Sequence, residues 1–169
     1  MNSPVRIGVI GERNASADLL AAAEEVGREV GRRGGILICG GMEGVMEAAS
    51  RGAALAGGTV VGILPGATAD DANAFVTVPV VTGMGEGRNV IIARTAEAVI
   101  AVGGAYGTLS EIAFALHFGV PVIGLATWGL HRAGQTADPI RRADTPRQAV
   151  EWAWAAAEGR RTGRHVART

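Results

Sequence analysis

Three observations predict a Rossmann-like α/β domain, a doubly wound and mostly parallel sheet with helices on both faces. Apolar runs of strand length alternate with helical patterns along the 169 residues. Several runs, Ile36–Cys39 and Ala98–Val102 among them, are apolar throughout, as strands covered on both faces must be. Glycine clusters follow three of the strands where the chain turns into a helix, and in such sheets ligands sit beyond the carboxyl ends of the strands.

The elements follow in order. A first strand covers 5–10 and a helix about 17–33, with Ser16 as its N-cap and Gly34-Gly35 as its stop. Ile36–Cys39 is the second strand, 43–56 a helix and Thr59–Leu64 the third strand. The loop 65–74 leads to a fourth strand over 75–82. A helix over 88–96, the strand Ala98–Val102, a helix over 108–118 and a strand over 121–125 come next. The connection 126–144 is long, so a short edge strand near Ile140 is expected to break it. The last helix opens with Thr145 as N-cap, Pro146 at its first position and Gln148 completing a capping box. These elements make one domain over 1–159. The remainder, 160–169, with Arg160, Arg161, Arg164 and Arg168, reads as a basic flexible tail.

Composition excludes several functions. Hydrophobic residues at 48% and charged residues at 19% argue for a folded core. Zero net charge and 4% aromatics argue against a nucleic-acid partner. No apolar stretch is long enough for a membrane span, and the first residues lack a signal peptide's apolar centre, so a cytoplasmic protein is expected. All 16 basic residues are arginine. Without lysine there is no Schiff base to pyridoxal phosphate and no P-loop. Cys39 stands alone, at the end of an apolar run where burial is expected. His117, His131 and His165 lie far apart, with no carboxylate or cysteine at metal-ligand spacing, so no metal site is expected.

The chemistry gathers at the three turns, Gly8 to Gly11, Gly40-Gly41 to Gly44 and Gly103-Gly104 to Gly107. A parallel sheet brings them to one edge, where each following helix presents free N–H groups and a positive dipole end. A phosphate group suits such a place. The candidate binding residues are Gly11, Gly40, Gly41, Gly44, Gly103, Gly104, Tyr106, Gly107 and Thr108, together with Arg88. None of the turns fits the G-x-G-x-x-G dinucleotide fingerprint. Thr108 and Glu111 stand three apart, which fits a capping box; the same spacing also fits a Glu111 carboxylate facing the cleft, able to accept a sugar hydroxyl or move a proton. Arg88 opens a helix, where the macrodipole opposes a cation. An anionic partner, ligand phosphate or Glu111, would remove that conflict; a solvated arginine, with Glu86 as neighbour, is the plainer alternative. Met42 and Met46 read as packing residues.

The spans 40–49 and 88–116 resemble the LOG superfamily. Its motifs Gly-Gly-x-x-Gly-x-Met, a helix-opening arginine and Pro-Gly-Gly-x-Gly-Thr-x-x-Glu match here at Gly40, Gly41, Gly44 and Met46, then Arg88, then Gly104, Gly107, Thr108 and Glu111. Gly103 replaces the motif proline, Ala105 the second glycine, and Asn89 the lysine usual in cytokinin-activating members. This spelling is most similar to the molybdenum-cofactor carrier-like branch. The resemblance implies a binding protein for molybdenum cofactor or a nucleotide, requiring no cofactor of its own. The alternative it implies is a phosphoribohydrolase that cleaves the N-glycosidic bond of nucleoside 5′-monophosphates such as AMP or a cytokinin riboside monophosphate, with Arg88 and Glu111 as catalytic residues. A pyridoxal-dependent lysine decarboxylase, a label many relatives once carried, is excluded by the missing lysine.

The resemblance also implies a homodimer or homotetramer. The small-residue helices over 19–31 and 45–55 would permit close packing between subunits. Trp152 and Trp154 point to different sides of the last helix, so one is expected in the core and the other against a neighbouring subunit.

Overall fold

The computed structural model describes residues 3–166, with side chains through 163. In chain order the elements are β1 (Arg6–Gly11), α1 (Ala17–Arg32), β2 (Ile36–Cys39), α2 (Val45–Leu55), β3 (Thr59–Leu64) and β4 (Val78–Val81). They continue with a 3-10 turn (Gly85–Arg88), α3 (Asn89–Thr95), β5 (Ala98–Val102), α4 (Tyr106–His117), β6 (Val122–Leu125), β7 (Arg141–Arg142) and α5 (Pro146–Val166). The seven strands form one sheet in the order β4-β3-β2-β1-β5-β6-β7, every pair parallel. β1 lies at the centre, with Ile7 opposite Leu37 on one side and Ala98 on the other.

Alternation along the strands builds two cores. Ile7, Val9, Leu37, Ile100 and Val102 face α1, α2 and α5. Ile10, Ile38, Val99 and Ala101 face α3 and α4. β5, Ala-Val-Ile-Ala-Val, is buried along its whole length because both of its faces are covered.

The small residues of α1 and α2 are used within the chain. Gly27 lies against the Ala49 carbonyl and Gly52 against the Glu24 carbonyl, so a Cβ at either place would strike backbone. Both tryptophans are half-buried and both have partners in this chain. The Arg141 guanidinium lies 3.5 Å from the Trp152 ring centroid, and Trp154 packs on Gly35 and donates to Glu158 at 3.2 Å.

Caps set the helix ends. Ser16 Oγ accepts from the Leu19 amide at 3.4 Å. Thr145 Oγ1 accepts from the Gln148 amide at 3.2 Å, but Gln148 Oε1 takes the Asp144 amide, at 2.7 Å, rather than that of Thr145. β4 begins three residues later than expected because Asn73 turns the chain first, its side chain accepting from the Phe75 amide at 3.1 Å. Pro79 is tolerated in β4, which is an edge strand.

The expected tail from residue 160 is instead the continuation of α5 through Val166. Polar anchors replace the apolar burial that this stretch lacks. Arg161 donates to Glu97 and to the carbonyls of Ser3 and Pro4, and Arg160 donates to the Gly119 carbonyl. Arg168 lies outside the described residues. Among the described residues, no helix is long and apolar enough to cross a membrane.

Candidate functional site

The chain runs from β1 outward to β4, then crosses back to β5 on the other side of β1. That reversal leaves a crevice at the carboxyl ends of β1 and β5. A cleft of about 340 Å³ opens there, within the usual range for small-molecule sites. Its walls are the β1–α1 turn from Ile10 to Asn14, Met42 and Met46 from the α2 side, Glu86, Arg88 and Asn89 from the start of α3, and Ala105, Gly107, Thr108 and Glu111 from α4.

Arg88 reaches the cleft because the 3-10 turn before α3 is tied to β3. The Gly85 amide donates to the Pro65 carbonyl at 3.0 Å, and the Gly83 amide to the Gly66 carbonyl at 2.9 Å. Asn89 Nδ2 donates to Ser110 Oγ at 3.0 Å and joins α3 to α4. The Arg88 guanidinium then passes over the α-carbon of Gly40, where any side chain would collide with it. Arg88 is only 5% exposed, and its Nε and Nη1 are buried without a hydrogen-bond partner. Burial pulls its pKa down, while the Glu111 charge opposes the shift. A buried charged donor left unpaired is costly, by about 1–3 kcal/mol or more. An anion entering the cleft would remove that cost.

The alternatives for Glu111 are resolved by where α4 begins. The helix starts at Tyr106 with Ala105 as its cap position, so Thr108 lies inside the first turn and cannot cap it. Thr108 and Glu111 are 3% and 8% exposed, and both line the cleft. Burial pushes the Glu111 carboxyl up to about 8; Arg88 opposes this and Glu86 adds to it. At neutral pH it holds a proton. The cleft thus combines a buried guanidinium with a carboxyl able to donate.

The glycines divide into two groups. Gly11 and Gly107 line the cleft, whereas Gly40, Gly41, Gly44, Gly103, Gly104 and Tyr106 are not among its wall residues. Gly40 makes room for Arg88. Gly41, with its amide on Cys39 Sγ at 3.3 Å, packs on Gly62. Gly44 (φ 71°) packs on the backbone of Glu12 and Arg13. The Gly103 amide donates to the Leu125 carbonyl at 3.0 Å, and the Gly104 amide to Glu12 Oε1 at 3.3 Å. Tyr106 is 81% exposed and leans on Trp128, with ring centroids 5.6 Å apart. Its side chain has an aromatic neighbour outside the cleft, since helix position 106 projects away from the turn that Thr108 and Glu111 face.

Sequence reasoning passed over Glu12, Arg13 and Asn14. Their position directly after β1, in a turn already noted for its glycines, was the available signal. Met42 and Met46 are buried as expected, yet they also form wall, and Arg13 Nη2 lies 3.1 Å from Met42 Sδ. Cys39 is fully buried, and burial raises its thiol pKa.

Fold and cleft together define a Rossmann-like α/β domain with a ligand-sized crevice at its switch point. The chain belongs to the SLOG cluster4 family, whose signature matches residues 4–150. An uncharacterized protein of Archaeoglobus fulgidus is 40% identical over 148 residues, 88% of this chain and 93% of that protein. The molybdenum cofactor binding protein of the phototrophic bacterium Rippkaea orientalis is 33% identical, with a TM-score of 0.83 over 90% of this chain and 97% of its own. The Moco carrier protein of Chlamydomonas reinhardtii is 32% identical, with a TM-score of 0.82 over 93% and 99%.

Proposed function

We propose that the cleft binds a phosphate-bearing small molecule, molybdenum cofactor or a nucleotide, and carries it without turnover. One observation carries this reading: the buried, unpartnered guanidinium of Arg88 in the wall of a ligand-sized cleft. Beside it, the first turn of α4 contributes amides that have no partner within the helix, at Gly107 and Thr108. The likeness to a molybdenum cofactor binding protein and to a Moco carrier protein, at 33% and 32% identity, supports the reading. In calorimetry, Arg88→Ala is expected to weaken AMP binding at least about tenfold while leaving adenosine nearly unchanged. Equal weakening of both would count against a phosphate role. Retention of molybdenum cofactor through gel filtration, lost in Arg88→Ala, would name the cargo.

Glu111 favours a second reading, the phosphoribohydrolase. A carboxyl that is protonated at neutral pH and faces the cleft can give its proton to the base as the N-glycosidic bond breaks, and then take up the proton released by the water that adds at the ribose C1′. Release of free adenine from AMP, abolished in Glu111→Gln, would establish that activity; saturable binding with no base released would leave the carrier reading.

A further inference from the structure

We propose that the Glu12 carboxylate is a built-in occupant of the anion seat at the β5–α4 turn, which a ligand's phosphate must displace in order to bind. The inference rests on the phosphate reading of the cleft and deepens it by naming the residue that sets the entry requirement.

Glu12 belongs to two structures at once. Its backbone is fixed: the Glu12 carbonyl accepts from the Val45 amide at 3.1 Å at the start of α2, and Gly44 packs on it from the same side. Its side chain reaches across the cleft to the turn before α4, where Oε1 accepts from the Gly104 amide. At 3.3 Å this bond is longer than the 2.7–2.9 Å usual for a charge-assisted contact. The backbone of Glu12 is thus fixed, while its carboxylate is held by one long hydrogen bond.

The same carboxylate makes no bond to Arg88. Both residues line the cleft, yet Arg88 Nε and Nη1 have no partner. The Glu12 carboxylate sits on the Gly104 amide, next to the cleft wall at Ala105, and makes no bond to the buried cation. Arg13, Glu86 and Glu111 also face this space; Arg13 lies on the same turn as Glu12, where it can receive the displaced carboxylate. A phosphate monoester, with three acceptor oxygens, can take the Gly104 amide and Arg88 together. A neutral ligand has nothing to offer in exchange for the Glu12 contact. Glu12 thus makes the cleft selective for strong anionic acceptors.

The test uses inorganic phosphate as the probe, with calorimetry on the wild type, Glu12→Gln, Glu86→Gln and Arg88→Ala, and amide NMR on the wild type. Glutamine keeps the shape and an acceptor oxygen but not the charge, so Glu12→Gln is expected to bind phosphate about tenfold more tightly. Glu86→Gln removes a charge from the same wall without touching the amide and should gain only about twofold. The Gly104 amide resonance should move as phosphate saturates the wild type. Glu12→Gln binding no more tightly than Glu86→Gln, or a Gly104 resonance that stays in place at saturation, overturns the displacement. Arg88→Ala binding phosphate as the wild type does sinks the phosphate reading itself. Loss in Arg88→Ala with no gain in Glu12→Gln sinks the Glu12 inference alone.

Discussion

Two buried carboxylates at opposite ends of the sheet have opposite surroundings. Glu97 precedes β5 at the amino edge and is 3% exposed. Burial would raise its carboxyl, but Arg161 and the Arg6 amide and guanidinium outweigh that and hold it below its usual range. The Arg161 Nε and Arg6 amide contacts are 2.8 and 3.1 Å. Glu111, at the carboxyl edge, is almost as buried, and among the described residues nothing donates a hydrogen bond to it. Its cationic neighbour, Arg88, is itself unpartnered. At the amino edge Glu97 is paired with Arg6 and Arg161, whereas at the carboxyl edge Arg88 Nε and Nη1 have no partner where a ligand can reach them. A buried guanidinium without a partner in the wall of a cleft marks the site better than any glycine does.

The comparison breaks or sharpens under substitution. Glu97→Ala should cost the most, about 3 kcal/mol, because it strands Arg161 and the Arg6 amide; a urea midpoint close to the wild type's would show that the amino-edge network is not holding α5. Glu111→Gln should act in the other direction and depend on pH. Below pH 4.5 the carboxyl is protonated in both folded and unfolded chains. As the pH rises towards 8 the unfolded chain releases its proton first, so the stability the group contributes is lost across that window. The loss approaches about 1.4 kcal/mol per pH unit, so Glu111→Gln should exceed the wild type by up to about 3 kcal/mol at pH 7 and come close to it near pH 4.5. Parallel stability curves from pH 5 to 8 would contradict this. Arg88→Met should change stability least, with a gain of about 1 kcal/mol, since an apolar side chain replaces an unpaired buried charge. Marked destabilisation would mean that Arg88 serves the fold rather than a ligand.

Much of this was legible in the residues. β2, β3 and β5 fall where their apolar runs place them, because a short apolar run rich in β-branched residues has few other stable solutions. Arg88 could be singled out because a cation opening a helix contradicts the local electrostatics. Glu111 could not be decided locally: the Thr108 spacing fits a cap, and only the start of α4 at Tyr106 rules it out. Glu12 carried no periodic signal. A single acid in a turn takes its meaning from what lies across the cleft, here an amide 92 residues further along.

The order of apolar and polar residues by itself determined a parallel, doubly wound sheet and the edge at which its glycine turns gather, because burial and strand periodicity are short-range properties. Which glycines merely let chains pass close, which carboxylate keeps its proton and which amide is already taken were decided only by the packed structure. Those outcomes depend on desolvation and on partners distant in the chain, and neither is written in the spacing of neighbouring residues.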